Sequence, residues 1–178
     1  MLLPRVLPFL LLFHPAAAEV LALTPPAATV ELRFYSFGLF PIDGKYTRFH
    51  GELTYDPHHP GRCQAALTIA SDSLVTANHA ITRMVTGPEF MDATRYPTLQ
   101  YTGVCNGSML DGELTMHGVT HAFALSIDRE PRRAVAEGRL RRADWGMTAQ
   151  PMLGGSTVRI RVSLPLPSGA QPARGATP

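Results

Sequence analysis

Charge imbalance, long apolar runs and helical periodicity are all scarce in this chain. Sixteen Lys and Arg stand against fourteen Asp and Glu, a formal net charge of +2. The basic excess that would meet a polyphosphate backbone is missing, which excludes nucleic acid as the expected partner. The longest apolar segment near the start, Val6 to Phe13, is far short of the ~20 residues a helix needs to cross a bilayer core. No second hydrophobic segment offers a membrane span. No serine sits in a Gly-x-Ser-x-Gly elbow. Gly154-Gly155 precedes no Gly-Lys-Ser/Thr phosphate loop and is read as a hairpin signal. Only two cysteines occur, both in strand-like segments, so no Cys–His nucleophile is expected. Without a catalytic constellation the chain is expected not to be an enzyme, and a hydrolase or isomerase on the same scaffold carries little weight.

The two ends are of a different kind from the middle. Met1 to Arg5 is a short basic start, Val6 to Phe13 is apolar, and Ala16-Ala17-Ala18 supplies small residues for a signal peptidase. Residues 1–18 therefore read as a cleaved signal peptide. The expected location is periplasmic or secreted, and no cysteine follows the cleavage site to make a lipoprotein. Residues 19–27 read as a lead-in, 28–165 as one domain, and 166–178, rich in Pro, Gly and Ala, as a disordered tail.

Between the ends, short segments alternate with period two. Val30, Leu32 and Phe34 put even positions inward, and Asp43-Gly44 predicts a two-residue hairpin. Odd positions then face inward at Phe49, Leu53 and Tyr55, at Cys63, Ala65, Leu67 and Ile69, and at Leu99, Tyr101 and Cys105. Asn106-Gly107 predicts the next hairpin, after which Leu110, Leu114 and Met116 point inward. Following His117-Gly118, a sixth strand carries Val119, Phe123, Leu125 and Ile127. A seventh spans about Ala134 to Asp144, and an eighth presents Val158, Ile160, Val162 and Leu164. Residues flanking a two-residue turn share a face, so Ile42 should oppose Lys45, Cys105 should oppose Ser108, and Met116 should oppose Val119. The expected fold is all-β, an eight-stranded antiparallel up-and-down barrel with a short helical segment around residues 76–94, centred on Ala77 to Met84. Eight strands are about the number at which a sheet closes round one small ligand; an open sandwich is the alternative.

Cys63 begins one strand and Cys105 ends the next, on inward positions. In an oxidising compartment this favours a Cys63–Cys105 disulfide, with two buried thiols as the alternative. His58-His59 lie in a turn, and His117 and His121 have lost helical i,i+4 geometry to Gly118 and β-branched neighbours, so no metal site is expected. Arg129, Arg132, Arg133, Arg139, Arg141 and Arg142 read as a solvated rim interleaved with Glu130 and Glu137; a basic mouth meeting a lipid phosphate or anionic membrane is the sharper alternative.

Glu113-Leu114-Thr115-Met116-His117-Gly118-Val119-Thr120-His121-Ala122, with Phe90 to Pro97 upstream, resembles the signature of the bacterial YceI-like family. Phe37-Gly38-Leu39-Phe40, Gly44-Lys45-Tyr46 and Phe49 to Asp56 resemble its first hairpin. Ser73 to Thr76 is similar to the segment entering its helical connection. Gly138 to Met147 and Val158 to Leu164 resemble its last strands. The resemblance covers residues 28–165. It implies a lipocalin-like barrel, an extended apolar cavity housing a polyprenyl chain, export, and no catalytic residues. The chain departs from the family pattern near Ser36 and at Ile81-Thr82-Arg83-Met84.

On these grounds the expected function is to sequester or transport an isoprenoid lipid, a polyprenyl chain or an isoprenoid quinone, with no cofactor besides that ligand. The expected cavity lining is Leu32, Phe34, Phe49, Leu67, Ile69, Leu99, Tyr101, Phe123, Leu125 and Ile160. The rival is a non-catalytic accessory protein whose barrel is filled by its own side chains and which acts through a membrane surface or a membrane redox protein. One five-carbon unit fully buried gains about 4 kcal/mol, at ~0.8 per methylene. Eight units would gain about 30, beyond the ceiling of about 20 for non-covalent binding, so ordering costs must offset much of it.

Overall fold

The structure is a computed structural model and describes residues 18–166. The expected signal segment up to residue 17 and the tail from residue 167 lie outside the described residues. The strands in chain order are β1 (Glu19–Ala22), β2 (Thr29–Ser36), β3 (Phe40–Tyr46), β4 (Phe49–Asp56), β5 (His59–Ala70), β6 (Leu74–Thr76), β7 (Thr98–Asn106), β8 (Met109–Met116), β9 (Val119–Ala122), β10 (Leu125–Glu130), β11 (Arg133–Arg141) and β12 (Thr157–Pro165). Two short helices interrupt them, α1 (His79–Thr86) and α2 (Pro151–Gly154).

All twelve strands belong to one antiparallel sheet, ordered β1-β4-β5-β7-β8-β10-β11-β12-β2-β3-β6, with β9 paired to β8. The last long strand lies beside the first, Ile160 opposite Leu32 and Val158 opposite Phe34, and the sheet curls round a single core. Its hydrogen-bonded path is open at one seam, since β1 and β6 end it. The corner Thr47-Arg48 spans that seam at one end: the Thr47 N–H donates to the Ser73 carbonyl, and the Arg48 carbonyl accepts from the Ala70 N–H. Period-two patterning explains the wrap. Val30, Leu32 and Phe34 of β2 are buried while Arg33 and Tyr35 are exposed. The outward residues pair with one another, as Arg33 does with Asp43 and Arg161 with Glu137.

Several sequence expectations need correction. The sheet has twelve strands rather than eight, because the lead-in contributes β1, the helical excursion contributes β6, and the first and sixth predicted strands each divide. Asp43-Gly44 is not a hairpin; it lies inside β3, with Asp43 opposite Arg33 and Gly44 opposite Leu32. The turn comes earlier, at Phe37-Gly38-Leu39, where Phe37 and Gly38 both have positive φ. Gly44 instead serves close packing, since a Cβ there would stand 2.8 Å from Leu74 Cδ1. At the next hairpin Asn106 opposes Met109, so the loop is Gly107-Ser108 and Cys105 opposes Leu110 rather than Ser108. The slip leaves every inward assignment intact. Met116 opposes Val119 as expected, with His117 and Gly118 at φ 52° and 75°.

The predicted sixth strand breaks after Ala122. The Phe123 N–H donates to the Gly112 carbonyl, and β10 begins at Leu125. β11 stops at Arg141 and turns through a 3-10 segment, Arg142–Trp145. Gly154-Gly155 ends α2 instead of forming a hairpin. The helix of the excursion runs two residues later than expected because Asn78 caps it, its side chain accepting from the Ala80 and Ile81 N–H groups. Its buried Val85 faces the core, and the chain then folds Phe90 and Met91 into the same interior.

Candidate functional site

The inward faces enclose two apolar cavities that share one partition. The inner cavity, about 80 Å³, lies beneath α1 and the segment that follows it. The outer, about 120 Å³, lies towards β1 and the ends of β10 and β12. Leu67, Tyr101, Leu125 and Val162 line both and form a waist between them. The inner wall is almost wholly buried, whereas the outer wall includes exposed Pro57 and Glu130 and half-buried Leu21, Leu53 and Leu166. The inner chamber is thus the enclosed end and the outer one lies nearer solvent.

Of the ten residues predicted to line a cavity, Leu32, Phe34, Leu67, Ile69, Leu99, Tyr101, Phe123, Leu125 and Ile160 border the inner chamber. Phe49 does not: it is buried in the same core but borders neither chamber. Sequence reasoning missed the lining supplied by the caps: Phe90 and Met91 lie in irregular chain with no period to read, and Val85 lies near the end of the eight-residue α1. It also missed Arg142.

Polar groups in this interior are few, and most are already bonded. Tyr101 donates its hydroxyl to the Leu110 and Phe123 carbonyls at 3.1 and 3.2 Å. Burial, and then the charge of Asp111, pushes that hydroxyl up to about 12. Tyr46 points its hydroxyl at Met91 Sδ, 3.5 Å away, and burial raises it well above the ordinary phenol range. Trp145 donates its indole N–H to the Leu114 carbonyl at 3.1 Å.

Arg142 is the exception. It was expected on a solvated rim, yet it is 5% exposed and borders the inner chamber. The parity of β11 carries it inward: Ala134 and Ala136 line the outer chamber, Leu140 and Arg142 the inner. Gly138 between them leaves the space that Phe123 and Leu125 fill, since a Cβ would meet those side chains at 2.6 and 2.7 Å. Arg142 donates from Nε to the Gly155 carbonyl at 2.7 Å and from Nη2 to the Ala149 carbonyl at 3.1 Å. The Phe90 ring lies over the guanidinium, 4.8 Å from ring centroid to carbon. Burial lowers its pKa, but a guanidinium stays charged at neutral pH.

Cys63 and Cys105 are joined by a disulfide across neighbouring β5 and β7, with their α-carbons 4.8 Å apart, and both border the outer chamber. Two of the histidines pack against Trp145. His117 Nδ1 lies 3.1 Å from the Trp145 carbonyl, and His121 packs edge-on against the Trp145 ring. Among the described residues no group of three or more His, Cys, Asp or Glu is set to hold an ion.

This geometry has known counterparts. The sequence profile of the YceI-like domain matches residues 21–166. The chain belongs to the YceI-like family. It is 28% identical to Protein YceI of Shigella flexneri over 103 residues, 55% of this chain and 54% of that protein. A UPF0312 protein of Vibrio cholerae is 26% identical over 108 residues, and the matched part spans 57% of each. The chain thus spans little more than half the length of these relatives. Among solved structures, BcnA of Burkholderia cenocepacia superposes with a TM-score of 0.64 at 16% identity, covering 78% of this chain and 96% of that one. A polyisoprenoid binding domain from Saccharophagus degradans, implicated in plant cell wall breakdown, superposes with a TM-score of 0.57 at 15% identity, covering 84% and 97%. At these identities the structures establish the YceI-like fold.

Proposed function

We propose that this protein is an exported, non-catalytic binding protein that holds one isoprenoid lipid, a polyprenyl chain or an isoprenoid quinone, in its apolar interior. Residues 1–18 would be the export signal and residues 28–165 the binding domain. The observation that carries this reading is the pair of apolar chambers meeting at the waist of Leu67, Tyr101, Leu125 and Val162. Together they hold about 200 Å³. At roughly 24 cal/mol per Å³, leaving the inner, enclosed 80 Å³ empty costs about 2 kcal/mol. That is a sizeable share of a domain's net stability, about 5–15 kcal/mol. A long, thin, apolar ligand removes the cost by threading both chambers, and side chains at the waist need only part to admit it. The disulfide supports export, since such bonds persist in oxidising compartments. The likeness to the Saccharophagus degradans domain supports the isoprenoid class.

A second reading, an accessory protein acting through a membrane surface or membrane redox protein, is favoured by one feature. The turn between β2 and β3 exposes Phe37, Leu39 and Phe40 beside exposed Met152, whose carbonyl accepts from the Phe37 N–H. Apolar turns of this kind suit a membrane contact whether or not lipid is carried. Extracting freshly purified protein with organic solvent and recording a mass spectrum separates the two readings. The carrier yields one isoprenoid per protein. The accessory reading gains if no lipid is extracted and none is taken up when isoprenoid is added.

A further inference from the structure

The guanidinium of Arg142 is under-used. Its Nη1 is buried with no hydrogen-bond partner among the described residues. None of the ion pairs of the described residues includes it. Nε and Nη2 suffice to hold the carbonyls of Gly155 and Ala149 and so to fix α2 and the chain around it. Nη1 contributes nothing to that task, and an unsatisfied buried donor on a charged group is costly. Its neighbourhood has been built tightly. The α-carbon of Gly154 packs so close that a Cβ would fall 2.2 Å from the Phe90 ring and 3.1 Å from Nη2. A cationic donor, shut from solvent and bordering an apolar chamber, lacks only an acceptor.

We propose that Arg142 is the polar anchor of the ligand, receiving one acceptor oxygen of its head group on Nη1, and that this oxygen belongs to a neutral carbonyl rather than a phosphate. The inference rests on the lipid-binding reading above and adds the end at which the head lies and its chemical class. The preference follows from counting donors. The other buried hydroxyls of the inner chamber, those of Tyr46 and Tyr101, already donate within the protein. One free nitrogen satisfies one or two lone pairs, which is what a quinone-, ester- or amide-type carbonyl presents. A phosphate brings three oxygens and up to two charges. A single guanidinium cannot compensate that charge once its water is removed. The head therefore lies beneath Phe90 and α2, and the chain runs through the waist towards the disulfide.

The test measures equilibrium binding of three probes with the same four-unit isoprenoid chain to the full-length mature protein: a benzoquinone, a prenyl monophosphate and the bare hydrocarbon. The quinone should bind roughly tenfold or more tightly than either other probe, as a charge-assisted hydrogen bond implies. Arg142→Met should bring the quinone within about threefold of the hydrocarbon when both are measured on that variant. Inorganic phosphate should not compete. A monophosphate bound as tightly as the quinone overturns the proposal, as does a quinone advantage that survives in Arg142→Met. Should that variant fail to fold, the ranking of the three probes on the unaltered protein decides alone. A hydrocarbon bound as tightly as the quinone sinks the head-group assignment and spares the lipid-binding reading. Failure of all three probes sinks both.

Discussion

Tyr101 shows how one residue links stability to the site. Its ring forms part of the waist, and its hydroxyl spans from β7 to carbonyls on β8 and at Phe123. The folded state holds that phenol at about 12, above its ordinary value near 10. A raised folded pKa means the folded protein keeps the proton longer than the unfolded chain. Stability from this group is therefore complete below pH ~10 and is lost as pH rises through about 12. The full loss is about 2–3 kcal/mol, with buried Tyr46 adding in the same direction. Melting temperature should fall steeply between pH 10 and 12, and Tyr101→Phe should flatten that fall. An equally steep fall in the variant would show that Tyr101 does not carry the effect. Arg142 teaches the complementary lesson about sequence. Its inward parity was present in Ala134, Ala136, Leu140 and Arg142, but six arginines in fourteen residues read as a solvated surface. Composition describes the usual fate of a residue type, and this one departs from it.

At the scale of elements, glycines separate turns from tight packing. Gly107 and Gly118 both sit in two-residue loops at φ 64° and 75°. A Cβ on Gly107 would meet nothing within 4 Å, whereas one on Gly118 would lie 2.6 Å from Tyr96 Cε1. Tyr96 in turn packs on His117 at 4.5 Å between ring centroids, so this turn clamps the exit of the helical excursion to the sheet. Gly107→Ala should therefore cost only the left-handed strain of about 1–2 kcal/mol. Gly118→Ala should cost more, by about 1 kcal/mol or above, as Tyr96 is displaced. Chemical denaturation of the two variants checks the order, and equal losses would remove the clamp from the account. β2, β4, β5, β7, β8 and β12, which alternate over eight or more positions, were legible from sequence together with the face each buries. β11 was placed without an inward face, and β3 was read as a turn. β1, β6 and α2 were not legible, because three or four residues give no period. Asp43-Gly44 misled because the same dipeptide that suits a turn also suits a strand where a neighbour such as Leu74 presses on the backbone.

The described residues form a curled sheet with one seam, one disulfide and an interior divided by a waist. Period-two patterning made the wrap legible, since neighbouring strands had to share an inward face. It could not reveal the division into chambers, which depends on how Leu67, Tyr101, Leu125 and Val162 meet across the barrel. Nor could it reveal the caps, Phe90 and Met91 among them, which close the inner end from irregular chain. On the proposed function, one isoprenoid chain threads both chambers. Equilibrium affinities for isoprenoid quinones of increasing tail length test it most directly, on the unaltered protein and on Val162→Trp, which narrows the waist. Affinity should climb with each added unit until both chambers are filled, and should reach an early plateau in Val162→Trp. Affinity independent of tail length, or a climb unchanged by the narrowed waist, would contradict that threading.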